Sequence, residues 1–330
     1  MINAIAWSVA PGSGALNRPR RFVEELVKLG VISSTPFLFH HGRSASTGES
    51  TNVGKLYPTL ATEDLDCYAV LSPVLQIGKK EPRWIDYYDD WSLAPDINPI
   101  ARVLARTSYS RVGRGASDST TVTVNTAYMA MKLQLPLNSV VPNGVDKNLA
   151  SVEQEGDDRT RVIVLGKLFS GRTDEALIRE IAELAWIDEV LLCGIGDDKK
   201  MTSLTRQLKQ SLGAKVRTIP WVQPAQIGRL VGEKTFALIP HKVNDYTLSQ
   251  DLMKAYLLSA LGVPIVCPQL LWPHNIDREY AFLLNAGVDL QNNLAQWNDR
   301  PRPPDSWRLG FVDSNSWASR AESIAERISA

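Results

Sequence analysis

The sequence predicts an α/β fold made of two doubly wound domains that face each other across a cleft, and three observations predict it. Near the start, the buried-strand pattern INAIAWSVA runs into a Gly-rich turn, PGSGALN, and then into a helix pattern; strand, turn and helix in that order open a doubly wound unit. Near the middle, DKNLASVEQEGDDRTR carries many charges and little apolar content, as a connector between domains does. Directly after it, RVIVLG restarts an alternation of strand-like and helix-like segments. At 330 residues the chain is long for one core and comfortable for two. The expected division is residues 1–150, residues 151–310 and a closing helix in 311–330 able to pack back on the first domain. Both domains are expected to be Rossmann-like, and clefts between such domains are where ligands usually bind.

Each element has its own local reason. The first helix takes Asn17 as cap and Pro19 in its first turn, shows an apolar stripe at Phe22, Val23, Leu26, Val27 and Leu29, and ends at Gly30. PFLFHH is a strand candidate, residues 43–58 read as a long loop, and CYAVLSPVLQI and RWIDYYDDW are further strand-like runs. A basic helix around 100–111 precedes TTVTVNT and SVVPNGVD. In the second half EALIREIAELA, SLTRQLKQSL and AQIGRLVG read as helices, and EVLLCGIG, KVRTIPWV and FALIPH as strands. DLMKAYLLSALGVPIVCP, residues 251–268, reads as an apolar helix capped by Asp251 and closed at Gly262, followed by a strand from Val263 to Cys267. The terminal helix carries Trp317, Ala321, Ile324 and Ile328 at helical spacing.

Charge and cysteine usage narrow the function classes. The 36 basic and 36 acidic residues leave no global drive toward nucleic acid or an anionic bilayer. Cys67, Cys193 and Cys267 lie far apart in apolar runs, which fits a reducing cytoplasm better than a disulfide framework. Neither a run long enough to span a membrane nor a signal peptide is read from the sequence.

Several residues carry chemistry by their placement. GKLFSGRTD, residues 166–174, follows a strand and precedes a helix, the ligand-binding edge of an open α/β sheet. Lys167 and Arg172 put two cations there, and Gly166 and Gly171 allow close backbone approach; the alternative is an ordinary solvated turn. A phosphate would sit well at the first turn of the helix after Asp251, with Lys254 adding charge. His241 closes a strand beside that position, as either a ligand contact or a buried structural histidine. Asp86, Asp89 and Asp90 crowd three carboxylates, where burial or repulsion raises a pKa and suits a general base, or where Asp89 and Asp90 cap the next segment. Arg18, Arg20 and Arg21 at a helix start make sense beside an anion. Arg102, Arg106, Arg111 and Arg114 form a second basic cluster, suited to an anionic acceptor, a lipid headgroup or plain solvent.

These segments resemble, in order along the chain, the motifs of the two-domain (GT-B) glycosyltransferases. DLMKAYLLSALGVPIVCP resembles the family-4 block "sPlKlyEYLAaGkPVV", and GKLFSGRTD resembles "GRlserKG". CGIG, IPWV, VPNGVD and SWASRAESIAERI resemble "lvG.G", "hGfv", "ipNGVd" and "sWe.ra..i...l". IDYYDDWSLAPD resembles "YDyvDDws" of glucuronosyltransferase-like polysaccharide-assembly enzymes. The resemblance implies donor contacts from Gly166, Lys167, Arg172, Gly194, Val222, Ser249 and Lys254; His241 joins the donor-side candidates by its position, and Asp251 and Tyr256 as the nearest substitutes by sequence for a missing ribose-binding acid. It implies acceptor-side contacts from Gly12, Ser13, Gly14 and Arg18, and a base from Asp86 or Asp89. One position departs: the family's ribose-binding Glu falls on Leu257.

The implied reaction moves a sugar from a UDP- or GDP-type nucleotide sugar, a co-substrate, to a hydroxyl on a saccharide, lipid-linked saccharide or small molecule. No metal or other cofactor is expected, since cations and helix N-termini neutralise the diphosphate. Peripheral membrane contact is an open partner. Family-4 likeness implies retention, whereas an Asp base implies inversion. Two alternatives stand beside this: a catalytically inactive GT-B saccharide- or nucleotide-binding protein, motivated by Leu257, and a nucleic-acid glycosyltransferase, disfavoured by the neutral charge.

Overall fold

Apolar runs without alternation leave no strand face suited to water, so they form parallel sheets covered on both sides. The structure, a computed structural model, describes all residues except 8–16, 41–52, 56–66, 72–80, 96, 116–118, 167, 170, 195–202, 221–222, 286–288, 300 and 330. The chain divides into two compact units. The first is Met1–Gly144 with Ser249–Asp251 and Trp317–Ala330, and the second is Val145–Leu248 with Leu252–Ser316.

In the first unit, strands β1 (Ile2–Trp7), β2 (Ile32–His40), β3 (Val53–Lys55), β4 (Tyr68–Leu71), β5 (Trp84–Tyr87) and β6 (Thr121–Val124) make one sheet in the order β3-β2-β1-β4-β5-β6, all pairs parallel. Helix α1 (Arg18–Lys28) has Pro19 in its first turn and buries Phe22, Val23 and Leu26. Asn17 occupies the N-cap position, but its side chain caps nothing. Phe22 packs edge-on against Trp84 and against Trp317 of the closing helix, Trp317–Ser329. Gly144 of VPNGVD lies so close to Trp317 that an added Cβ would fall 2.8 Å from the Trp317 backbone nitrogen, which explains glycine there. Helices α2 (Pro99–Gly115) and α3 (Ala127–Lys132) complete the unit's regular helices among the described residues.

The second unit repeats the plan with β7 (Arg161–Leu165), β8 (Glu189–Cys193), β9 (Val216–Ile219), β10 (Thr235–Leu238), β11 (Ile265–Pro268) and β12 (Ala281–Leu284), ordered β12-β11-β10-β7-β8-β9 and parallel throughout. Helices α4 (Glu175–Glu183), α5 (Ser203–Leu212), α6 (Pro224–Gly228), α7 (Asp245–Leu248), α8 (Met253–Ala260), α9 (Leu290–Asn298) and α10 (Asp305–Asn315) lie between and after the strands. Its core gathers Val162, Val164, Ile178, Ile181, Phe236 and Trp297. Helix α8 begins one residue later than the sequence suggests, with Leu252 at the cap and no side-chain cap bond, so Asp251 does not cap it. No helix of the described residues is long and apolar enough to cross a membrane.

Numbered within its own unit, each sheet reverses strand order beside its first strand, between β1 and β4 and between β7 and β10. Ligands of such sheets bind outside the carboxyl ends of the strands at that reversal.

Candidate functional site

At the β7/β10 reversal the chain places a cluster of cations. Gly166 follows β7 at φ +85° and donates its N–H to the Cys193 carbonyl at 2.7 Å; Gly194, at φ +86°, donates to the Ile219 carbonyl at 3.0 Å. The left-handed backbone favours glycine at both positions. A Cβ on Gly166 would sit 3.3 Å from the Lys254 Nζ, so the bare backbone is what admits the ammonium. The loop after β7 is zipped to the end of β10. Thr173 bridges His241, Lys242 N–H donates to the Arg172 carbonyl at 2.8 Å, and Asp174 N–H donates to the Pro240 carbonyl at 2.7 Å.

Lys254, Arg172 and His241 therefore converge. The Arg172 guanidinium lies 4.5 Å over the Phe169 ring, and its Nε is buried without a hydrogen-bond partner. The His241 Nδ1 is likewise buried and unpartnered. Desolvation, then the charge of Arg172, pushes Lys254 down to about 7. Burial, then Lys254 and Arg172, holds His241 well below the usual imidazole range. Neither Lys254 nor Arg172 has a carboxylate partner among the described residues. Like charges crowded at a sheet edge beside an orphaned guanidinium N–H are short of one thing, an anion with several acceptor oxygens.

Three of the expected donor contacts are placed elsewhere. Tyr256 is fully buried, and its hydroxyl donates to Asn275 Oδ1 at 2.8 Å, so it is a core residue rather than a ligand contact. Ser249 and Asp251 belong to the first unit: Ser249 Oγ accepts from the Asp90 N–H at 2.7 Å, and the Asp251 carboxylate accepts from the Asn143 N–H. Leu257 is 1% exposed and sits in the core of the second unit. Lys167 and Val222, and on the acceptor side Gly12, Ser13 and Gly14, lie outside the described residues.

In the first unit the three carboxylates have separate fates. Asp86 is 0% exposed and receives Arg18 Nε and Nη2 at 2.8 Å each, plus Thr123 Oγ1 at 2.7 Å. With both oxygens occupied and no access, Asp86 anchors an ion pair and is not the base expected of it. Arg18 is correspondingly buried, with Nη1 reaching Asn143 Oδ1 at 3.2 Å, and is not an acceptor-facing cation. Asp90 is buried, accepts from Ser92 N–H and Oγ, and is paired with Lys132.

Asp89 is different. It follows β5, is only partly buried, and holds φ +54°, a left-handed conformation uncommon outside glycine. Its Oδ1 accepts from Asn125 Nδ2 at 2.9 Å and its Oδ2 from Gln250 Nε2 at 3.3 Å, while its carbonyl accepts from the Tyr109 hydroxyl at 2.9 Å. Desolvation, with Asp251 adding to it, raises the carboxyl to about 6 against the opposing effects of Gln250, Arg18 and Asn125. Asn125 Oδ1 and Gln250 Oε1 are buried and unpartnered, so a proton on Asp89 would find an acceptor if either amide turned over. Asn143 lies in the VPNGVD motif but was given no role there, and Asn125 and Gln250 were not singled out by sequence; the placement of Asn125 directly after β6, at a strand's carboxyl end, is the signal that could have flagged it.

Two six-stranded parallel sheets with interspersed helices define the fold as that of the GT-B glycosyltransferases. AviGT4, a glycosyltransferase involved in avilamycin A biosynthesis, superposes with a TM-score of 0.60 at 16% identity over 100% of this chain and 97% of its own. The lipopolysaccharide outer core galactosyltransferase WaaB gives 0.58 at 12% identity over 99% and 98%. A TarM variant from S. aureus, in complex with Fondaparinux, alpha-GlcNAc-glycerol and UDP, gives 0.53 at 12% identity over 80% of this chain and 55% of its own. No protein-family model matches the chain, and no curated protein matches it in sequence. At these identities the likeness shows the fold.

Proposed function

We propose that the protein is a glycosyltransferase that moves a sugar from a nucleoside-diphosphate sugar, of UDP or GDP type, to a hydroxyl on a saccharide, lipid-linked saccharide or small molecule. The observation that carries this is the convergence of Lys254, Arg172 and His241 at the strand-order reversal of the second unit, with no carboxylate to neutralise the two cations among the described residues. Transfer forms a bond from the acceptor oxygen to the anomeric carbon and breaks the bond from that carbon to the diphosphate. The developing phosphate charge falls on Lys254 and Arg172. The hydroxyl proton needs a base, and Asp89 of the first unit, at about 6, is the carboxylate suited to that role, ionised at neutral pH yet a stronger base than an ordinary carboxylate. A base acting on the acceptor suits direct displacement, which inverts the anomeric carbon. The fold it shares with glycosyltransferases, one of them bound to UDP, supports the same reading. The three free cysteines suit a reducing, cytoplasmic setting.

The test is nucleoside-diphosphate release from UDP- and GDP-sugars in the presence of hydroxyl acceptors. Release by the parent protein, lost in Asp89→Asn while nucleotide binding persists, is the expected result. A second reading, an inactive nucleotide- or saccharide-binding protein, is favoured by one observation: Leu257 lies in the core where a ribose-binding acid would be, and Tyr256 and Ser249 are engaged elsewhere. Nucleotide binding with no transfer to any acceptor would select it.

A further inference from the structure

A helix on a domain surface normally turns its apolar residues inward. Helix α2 does this with Ala105, Tyr109 and Val112, all buried. It also carries a second apolar stripe: Ile100, Val103 and Leu104 are 70%, 60% and 44% exposed. Their i, i+3, i+4 spacing puts them together on the side of the helix away from that buried face. The sequence of α2, PIARVLARTSYSRVGRG, holds four arginines and no acid. Arg106, and further round Arg102, lie along one side of the apolar stripe, and neither has an acidic partner among the described residues. In a chain of zero net charge this is a local concentration of positive charge beside exposed aliphatic side chains.

Charge decides what covers such a face. A second copy of the chain docking here through a two-fold axis would set one α2 against the other, arginines against arginines. An anionic lipid surface meets both features at once, since apolar side chains enter the headgroup–acyl boundary while basic ones meet lipid phosphates. We propose that α2 is a membrane-docking element: Ile100, Val103 and Leu104 insert shallowly, and Arg102 and Arg106 select bilayers containing anionic lipid.

The full chain, without any nucleotide, is sedimented with phosphatidylcholine vesicles and with vesicles of phosphatidylcholine and phosphatidylglycerol. Binding to the anionic vesicles only, weakening as salt rises, is expected. Ile100→Ser with Val103→Ser and Leu104→Ser should abolish binding while leaving the melting temperature unchanged, because these side chains are exposed. Arg102→Gln with Arg106→Gln should weaken binding about thirty-fold, the combined effect of two arginines near a charged surface. A parent protein left in the supernatant at low salt, or a triple variant that binds like the parent, overturns the proposal. So does a parent protein that elutes as a dimer which the triple serine variant splits, since the face would then belong to self-association.

Discussion

Replacing Asp89 with asparagine should strengthen the fold while stopping transfer. Desolvation, the largest influence, and the nearby Asp251 lift the Asp89 carboxyl from 3.8 to about 6. At about 1.4 kcal/mol per pKa unit, ionised Asp89 costs the folded state about 3 kcal/mol. The folded value lies above the unfolded one, so the stabilisation from this carboxyl is complete below 3.8 and is lost as pH climbs through about 6. Asparagine does not titrate, tolerates the φ of +54°, and brings an amide donor that Asn125 Oδ1 or Gln250 Oε1, both buried and unpartnered, can accept. Lost charge-assisted bonds offset part of this, leaving a gain of about 1–3 kcal/mol at about pH 8 that fades toward zero at about pH 4. Denaturant unfolding of both proteins at the two pH values reads it. An asparagine variant less stable than the parent at the higher pH, or a difference that does not change with pH, would refute the claim that Asp89 is held against its charge.

Other substitutions separate anchors from ligand contacts. Because Lys254 is pushed down to about 7, UDP affinity should fall as pH rises beyond that value, and Lys254→Met should flatten the dependence measured by calorimetry. Arg18→Met leaves Asp86 buried and unpaired and should cost about 3–5 kcal/mol in denaturant melts, with most of it recovered when Asp86→Leu is added. Leu257→Glu buries a carboxylate at a site 1% exposed and should lower the melting temperature sharply with no gain in UDP affinity; tighter UDP binding would mean that position 257 faces the ligand.

Local pattern carried most strands and most helices, because continuous apolar runs and helical stripes are properties of neighbouring residues; it missed β12, and β3 lies inside residues 43–58, which read as a loop because Ser, Thr and Gly surround those three residues. It also pointed to the segments after β7 and β10 and to the first turn of α8, where the structure brings Arg172, His241 and Lys254 together. It failed where long-range partners decide. Asp251 reads as a helix cap, yet it accepts from Asn143, 108 positions away, and the backbone N–H of Asp90 bonds Ser249 across 159 positions. In IDYYDD the spacing cannot say which acid Arg18 will take; the structure gives it Asp86 and leaves Asp89 at the strained turn. Gln250, which holds Asp89 from 161 positions away, has no local signal at all. Around 100–111 the arginines were legible as a cluster, whereas the outward apolar stripe beside them appeared only once the buried face was known.

The central claim is that the second unit binds a nucleoside diphosphate through Arg172 and Lys254. Calorimetric titration of UDP and GDP into the parent protein and Arg172→Ala tests it most directly. At least one nucleotide should bind the parent, and the variant, with an unchanged melting temperature, should bind it about ten- to a hundredfold more weakly, as expected for one hydrogen-bonded charge. No binding of either nucleotide by the parent, or equal affinities in parent and variant, would contradict the account.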